Sequence, residues 1–327
     1  MAKQECIADV TEDELIQRFF APVAEDLSDD VATIDPSPHE ALLISTDSLI
    51  EDVHFLRRSP ADLVGEKALR VNASDIVASG GVPRWVTLAV SLPRDLELSW
   101  PRDFIAGFAR AMRAIGIRLI GGDTTASPDR IAIAVTVLGS VVRNRRITRA
   151  GATAGDLIAV TGTLGDAYLG LQVILGKADF GEVQHWLDCH FRPAFRGKLA
   201  LALAENGLTG AMMDLSDGIA SDLPRLCRAS GVGADVAMED VPLSKRARAI
   251  GLDARGALCG GEDYELLFTV KPEHWSAVEK LARDCETPLT SIGRIVAEPG
   301  LHLFDNGQPM REPLVSWQHF QASKGST

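Results

Sequence analysis

One stretch, residues 42–55, narrows the folds open to this chain more than any other. It reads Leu-Leu-Ile-Ser-Thr-Asp-Ser-Leu-Ile-Glu-Asp-Val-His-Phe. Leu42 to Ile44 is an apolar run that suits a buried strand. Ser45, Thr46 and Asp47 follow at its end, and His54 comes shortly after, beside Phe55. A carboxylate at the mouth of a buried strand must be hydrated, hydrogen-bonded or metal-bound, because burying it bare is costly. The pattern returns twice. Leu-Ile-Gly-Gly-Asp-Thr-Thr carries Asp123, and Met-Met-Asp-Leu-Ser-Asp-Gly carries Asp214 and Asp217. The fold must therefore serve several strand-end carboxylates at once.

Six aspartates share this setting: Asp30, Asp47, Asp75, Asp123, Asp214 and Asp217. Small residues adjoin them and apolar segments lead to them. Hard oxygen ligands of this kind suit Mg²⁺, which keeps several waters and is completed by substrate phosphates. Converging carboxylates repel one another, and divalent cations remove that repulsion while bridging to phosphate oxygens. The alternative for each aspartate alone is a turn or a helix cap.

Other residues read two ways. Gly121-Gly122 and Gly260-Gly261 allow a ligand to approach the backbone, or simply make turns. Arg149 suits bidentate contact with phosphate, yet four arginines within 143–149 equally suit a solvated basic linker. His54 would hydrogen-bond a substrate or pack beside Phe55. Trp317 offers a stacking face, or ordinary packing. Cys189-His190 is read as structural. No G-x-x-x-x-G-K-[ST] loop is present, which argues against a P-loop kinase.

The formal net charge of −12 disfavours binding to nucleic acid or an anionic membrane surface. It would also repel phosphates unless cations intervene. Five scattered cysteines without a C-x-x-C fit a reducing compartment. Met1 to Asp13 is polar and acidic, unlike a signal peptide. The longest apolar run, Ile131 to Val142, falls short of the roughly 20 residues of a membrane span. The expectation is a cytoplasmic protein.

Along the chain, Thr11 and Glu14 are placed for a capping box at the start of a helix over 11–24. A turn entering a strand is expected at 27–34, and strands at 41–46, 86–92, 131–142, 157–161, 232–237, 264–270, 290–296 and 301–304. Helices are expected at 61–79, 101–115, 166–176, 193–206, 218–229, 242–250 and 273–285. The basic, glycine-bearing segment 143–155 is the natural domain boundary. The mixture is α+β or mixed α/β, and its order is not βαβ throughout.

The stretches Ser-Asp-Asp at 28–30, Ser-Thr-Asp-Ser-Leu with Val-His-Phe at 45–55, Lys-Ala-Leu-Arg-Val-Asn-Ala-Ser-Asp at 67–75 and Ile-Gly-Gly-Asp-Thr-Thr at 120–125 form one set. Thr-Arg-Ala-Gly at 148–151, Val-Thr-Gly-Thr-Leu-Gly-Asp at 160–166, Asp-Leu-Ser-Asp-Gly at 214–218 and Gly-Gly-Glu-Asp-Tyr-Glu-Leu at 260–266 form another. Together they resemble the thiamine-monophosphate kinases, of the superfamily that includes aminoimidazole ribonucleotide synthetase and selenophosphate synthetase. The resemblance runs over nearly the whole chain. It implies the two-domain aminoimidazole ribonucleotide synthetase-like architecture. Residues 1–147 would be an N-terminal metal- and ATP-binding domain whose sheet pairs in a homodimer. Residues 148–327 would be an α/β domain completing the nucleotide and substrate site.

The same resemblance implies ATP-dependent phosphorylation of thiamine monophosphate with several Mg²⁺ ions and no covalent nucleophile. Asp30, Asp47, Asp75, Asp123, Asp214 and Asp217 match the family's metal ligands, with Ser45 and Thr46 beside the ions. Gly122, Asp123, Arg149 and Ser216 match nucleotide-binding positions, and His54, Glu262 and Trp317 match substrate contacts. Two places depart from the family's pattern. Asp26-Leu27-Ser28 stands where glycines are common, and Asp52 stands where glycine commonly precedes Val-His-Phe. Rival readings are another ATP-using enzyme of the superfamily, of amide-activating or hydrogenase-maturation type, and a non-catalytic ATP-binding regulatory module.

Overall fold

The computed structural model describes residues 5–25, 32, 34–310 and 314. The chain divides into two compact units, Met1–Arg146 and Ile147–Thr327.

In the first unit, Thr11 caps the short helix α1 (Glu12–Leu15), its hydroxyl accepting from the Glu14 N–H while Glu14 reaches back to Thr11. The capping box expected from the sequence is thus present, although the chain continues as a π turn and a 3-10 turn to Val23 rather than as one α-helix. Next come β1 (Glu40–Ile50), α2 (Ala61–Ala78), β2 (Val82–Pro93), α3 (Ser99–Ile115), β3 (Arg118–Ser127) and β4 (Ala132–Val142). The four strands form one sheet in the order β1-β4-β2-β3. β4 runs antiparallel to both β1 and β2, whereas β2 and β3 are parallel.

Two strands run further than their apolar runs suggest. β1 does not stop at Ile44 but carries Ser45, Thr46 and Asp47 within it, and β3 carries Gly121, Gly122 and Asp123. Both are edge strands, where a polar residue can reach solvent without leaving the ladder. Helices α2 and α3 pack against each other, and α2 lies on the sheet. Phe55, Trp100, Phe104 and Phe108 stack in sequence with centroid spacings of 6.3, 5.2 and 6.0 Å. All four are buried, each worth roughly 1.5–3 kcal/mol or more. On the other face of the sheet, Leu42, Ile44 and Ile50 on β1 and Val142 on β4 are exposed.

The second unit contains β5 (Leu157–Thr161), α4 (Asp166–Ile174), α5 (Val183–Phe191), α6 (Gly197–Asn206), β6 (Met212–Asp214), α7 (Ile219–Ser230) and β7 (Gly233–Ala237). It continues with α8 (Lys245–Ala249), α9 (Ala254–Cys259), β8 (Leu266–Val270), α10 (Trp275–Asp284), β9 (Leu289–Val296), β10 (Gly300–Asp305) and β11 (Gln308–Pro309). Its sheet has the order β11-β10-β7-β9-β5-β8-β6, mostly antiparallel with one parallel pair, β7 and β10. Leu223, Leu226, Val236, Ile292, Ile295 and Leu303 are among the side chains of its core. Pro224 lies inside α7, past its first turn, where it removes an i→i−4 hydrogen bond to the Ala220 carbonyl. Pro193 does not open α6, which begins at Gly197. α9 had no counterpart in the sequence reading; at six residues it is too short to show periodicity. Among the described residues no helix is long and apolar enough to cross a membrane, and all five cysteines are free thiols.

Candidate active site

In the first unit, strand alternation sorts the opening motif. Ser45, Asp47 and Leu49 take the face paired with Val137, Val135 and Ile133 of β4, all buried. Along that side α2 supplies Asp75 and Asn72. The Ser45 hydroxyl donates to Asp75 Oδ2 at 2.5 Å, and the Asp47 N–H donates to Asn72 Oδ1 at 3.0 Å. Asn72 is itself held by donating to the Ala68 carbonyl at 2.8 Å. Partial burial and then the Asp75 carboxylate push the Asp47 carboxyl above its ordinary value. Two carboxylates that disfavour each other's charge, one of them accepting from the Ser45 hydroxyl, form a donor set suited to a divalent cation.

Thr46 points the other way and hydrogen-bonds Thr136 at 2.9 Å, so its hydroxyl does not join the Ser45–Asp75 group. Asp123 does not join it either. Register places Asp123 in the row of Ala89 and Ala134, the row of Ser48, and therefore on the face opposite to Asp47. β1 and β3 are also the two outer strands of the sheet. Gly122 sits against β2, where a Cβ would lie 2.0 Å from the Leu88 carbonyl oxygen. Its lack of a side chain thus has a packing cause in addition to any ligand approach.

His54 sits in the turn that leaves β1. Its Nδ1 accepts from the Ile50 N–H at 3.0 Å, which fixes the ring against the end of β1. The turn is closed by the Asp52 N–H donating to the Phe55 carbonyl at 2.8 Å, and Asp52 has φ +65°. This left-handed backbone gives a physical reason for the glycine expected at that position, and aspartate is among the residues that tolerate it best.

In the second unit, two motifs lie side by side. The Glu262 N–H donates to the Ser216 carbonyl (2.7 Å), the Tyr264 N–H to the Leu215 carbonyl (2.8 Å) and the Leu215 N–H to the Glu265 carbonyl (2.9 Å). Gly261 permits this approach, since a Cβ there would be 2.6 Å from the Ser216 oxygen. Asp214 is buried at the end of β6, with Ser216 and Asp217 half-buried after it. Asp217 pairs with Arg225 at 2.6 Å, and its N–H donates to the fully buried Asp222. Burial pushes the Asp222 carboxyl up to about 6. The Met212 N–H donates to the Thr148 carbonyl at 3.0 Å, which anchors the segment carrying exposed Arg149 beside β6.

Asp30 and Trp317 lie outside the described residues. Among the described residues no group of three or more His, Cys, Asp or Glu side chains forms a metal site. Sequence reasoning passed over Asn72, Arg225, Asp222, Asp263, Glu265 and Arg196. Asp263 and Glu265 were within reach, because they flank Glu262 in the acidic run.

A helix-backed sheet presenting paired carboxylates, followed by a mixed α/β unit, defines the class. The family model described as AIR synthase related protein, N-terminal domain, matches residues 28–141, and that of the C-terminal domain matches residues 153–306. Relatives narrow the class. Thiamine-monophosphate kinase of Haemophilus influenzae is 36% identical, over 95% of this chain and 98% of that protein. The crystal structure of thiamine-monophosphate kinase from Stenotrophomonas maltophilia superposes with a TM-score of 0.80 at 35% identity, covering 91% of this chain and 96% of that one. AaThiL complexed with AMPPCP and TMP gives a TM-score of 0.76 at 33% identity, covering 94% and 95%. The chain belongs to the thiamine-monophosphate kinase family of AIR synthase related proteins.

Proposed function

We propose that the chain transfers the γ-phosphoryl group of ATP to the phosphate of thiamine monophosphate, giving thiamine diphosphate and ADP. The observation that carries this reading is the near-full-length match to the thiamine-monophosphate kinases, one solved relative of which holds AMPPCP, an ATP analogue, together with TMP. The acceptor is already an anion, so no alcohol need be deprotonated. What the protein must do is bring two polyanions into line and offset their charge.

The residues assigned to Mg²⁺ are Asp30, Ser45, Thr46, Asp47, Asp75, Asp123, Asp214 and Asp217. Bound there, the ions supply neutralising charge and a bridge between phosphate oxygens. The Asp47–Asp75 pair supports this, because burial and then the Asp75 charge raise Asp47's pKa and a cation would offset both. Thr46 enters with its hydroxyl engaged by Thr136. Gly122, Asp123, Arg149 and Ser216 are assigned to ATP, and His54, Glu262 and Trp317 to the thiamine phosphate. The first unit serves as the metal, ATP and dimerisation domain, and the second completes the set. Free thiols and the acidic surface suit the cytoplasm.

The uncovered sheet face of the first unit is assigned to a second copy of this chain. Leu42 and Ile44 (38% and 64% exposed) lie on it. Asp123 lies on this same face, opposite to Asp47, and would gain partners from the second copy. Ile44→Glu should shift the protein to monomer in sedimentation velocity; a persisting dimer contradicts the assignment.

The test of function is ADP release from ATP. It should require thiamine monophosphate and stop with EDTA. Release driven instead by an amide or a carbamoyl donor, or ATP binding with no acceptor-dependent turnover, contradicts it.

A further inference from the structure

Asp263 has no place in the set just assigned, yet its surroundings are tightly constrained. Its neighbours Glu262 and Tyr264 both have left-handed backbones, at φ +76° and +50°. Such conformations persist in non-glycine residues only where the surroundings over-determine them. Three contacts do so. The Glu262 and Tyr264 N–H groups are fixed on the Ser216 and Leu215 carbonyls. Between them the Asp263 side chain turns inward, and both its oxygens accept from the Gly165 N–H, at 3.1 and 3.0 Å. The Ala167 N–H adds a further bond. Gly165 is the N-cap of α4, so the carboxylate meets the positive end of that helix.

We propose that Asp263 is a positioning residue: it bolts the Gly-Gly-Glu-Asp-Tyr segment to the N-terminus of α4 and so holds Glu262 in place for the thiamine phosphate. The inference rests on the reading of Glu262 as a substrate contact. The chemistry requires an acceptor on both oxygens. Burial pushes the Asp263 carboxyl well up, and the donated N–H groups oppose that shift. An amide in its place would turn an N–H₂ donor toward a backbone donor. The segment would then lose its tie, and Glu262 its fixed position.

The experiment compares Asp263→Asn, Glu262→Ala and the double variant, with melting temperature as the folding control. Asp263→Asn should raise KM for thiamine monophosphate by about tenfold and leave KM for ATP within about twofold. In the Glu262→Ala background the same change should add less than about twofold, because the two act through one contact. An unchanged KM in Asp263→Asn, or effects that multiply in full, overturns the proposal. An unchanged KM in Glu262→Ala overturns the substrate-contact reading and, with it, this inference. Asp263→Glu, which keeps the charge at a longer reach, should show the same coupling to Glu262. Failure of both Asp263 variants to fold would assign the residue to folding alone and overturn its positioning role.

Discussion

Asp47 and Asp75 show at the scale of single residues how a site is kept ready at a cost to the fold. Asp47's pKa in the folded protein lies above its unfolded value, so the folded state holds that proton more tightly. Its contribution to stability therefore falls as pH rises through the acid range and is least favourable at neutral pH. Asp47→Asn removes the unfavourable charge. Ligand-free Asp47→Asn should melt no lower than the wild type at pH 7, with any advantage vanishing as pH falls below the ordinary aspartate range. Turnover should fall on the order of a hundredfold. A markedly lower melting temperature, or near-normal turnover at limiting magnesium, would contradict the assignment. The aspartates stand out as candidates in the sequence because small residues and apolar runs mark them. Asn72, which accepts the Asp47 N–H, was visible only as an excess of polarity in a helix. Nothing local says that its amide reaches a neighbouring strand.

At the scale of elements, the second unit depends on a buried ion pair between the turn before α6 and the approach to β8. Arg196 donates through Nε and Nη2 to the two oxygens of Glu265, both at 2.6 Å. The Thr161 hydroxyl donates to the same carboxylate and accepts from the Leu266 N–H, which ties in the end of β5. Arg196→Met would leave Glu265 buried without its cation, at a cost of about 3–5 kcal/mol. Equilibrium denaturation measures this, and a loss within experimental scatter would show the pair to be incidental. The partners are 69 residues apart, so spacing could not have joined them. Element limits were readable where an apolar stretch was long and bounded by clear stops, as in α2, which ends before Gly80-Gly81, and β4. They were misjudged where an edge strand continued through polar residues, as β1 does beyond Ile44.

For the whole molecule, the chain's division near Arg146 falls in the segment where basic residues and glycines interrupt the apolar pattern. The family was readable because its motifs are contiguous in sequence. Which carboxylates share an ion was not, since that depends on sheet order and strand face: Asp47 and Asp123 lie on different outer strands and on opposite faces of the sheet. In the proposed reaction the phosphoryl group passes directly between two anions, with the protein supplying position and charge but no covalent intermediate. Turnover with ATP labelled on its γ-phosphorus tests this most directly. The label should appear in the terminal phosphate of thiamine diphosphate, with none retained on protein after rapid denaturation. Label trapped on the protein, or released only as inorganic phosphate, would contradict it.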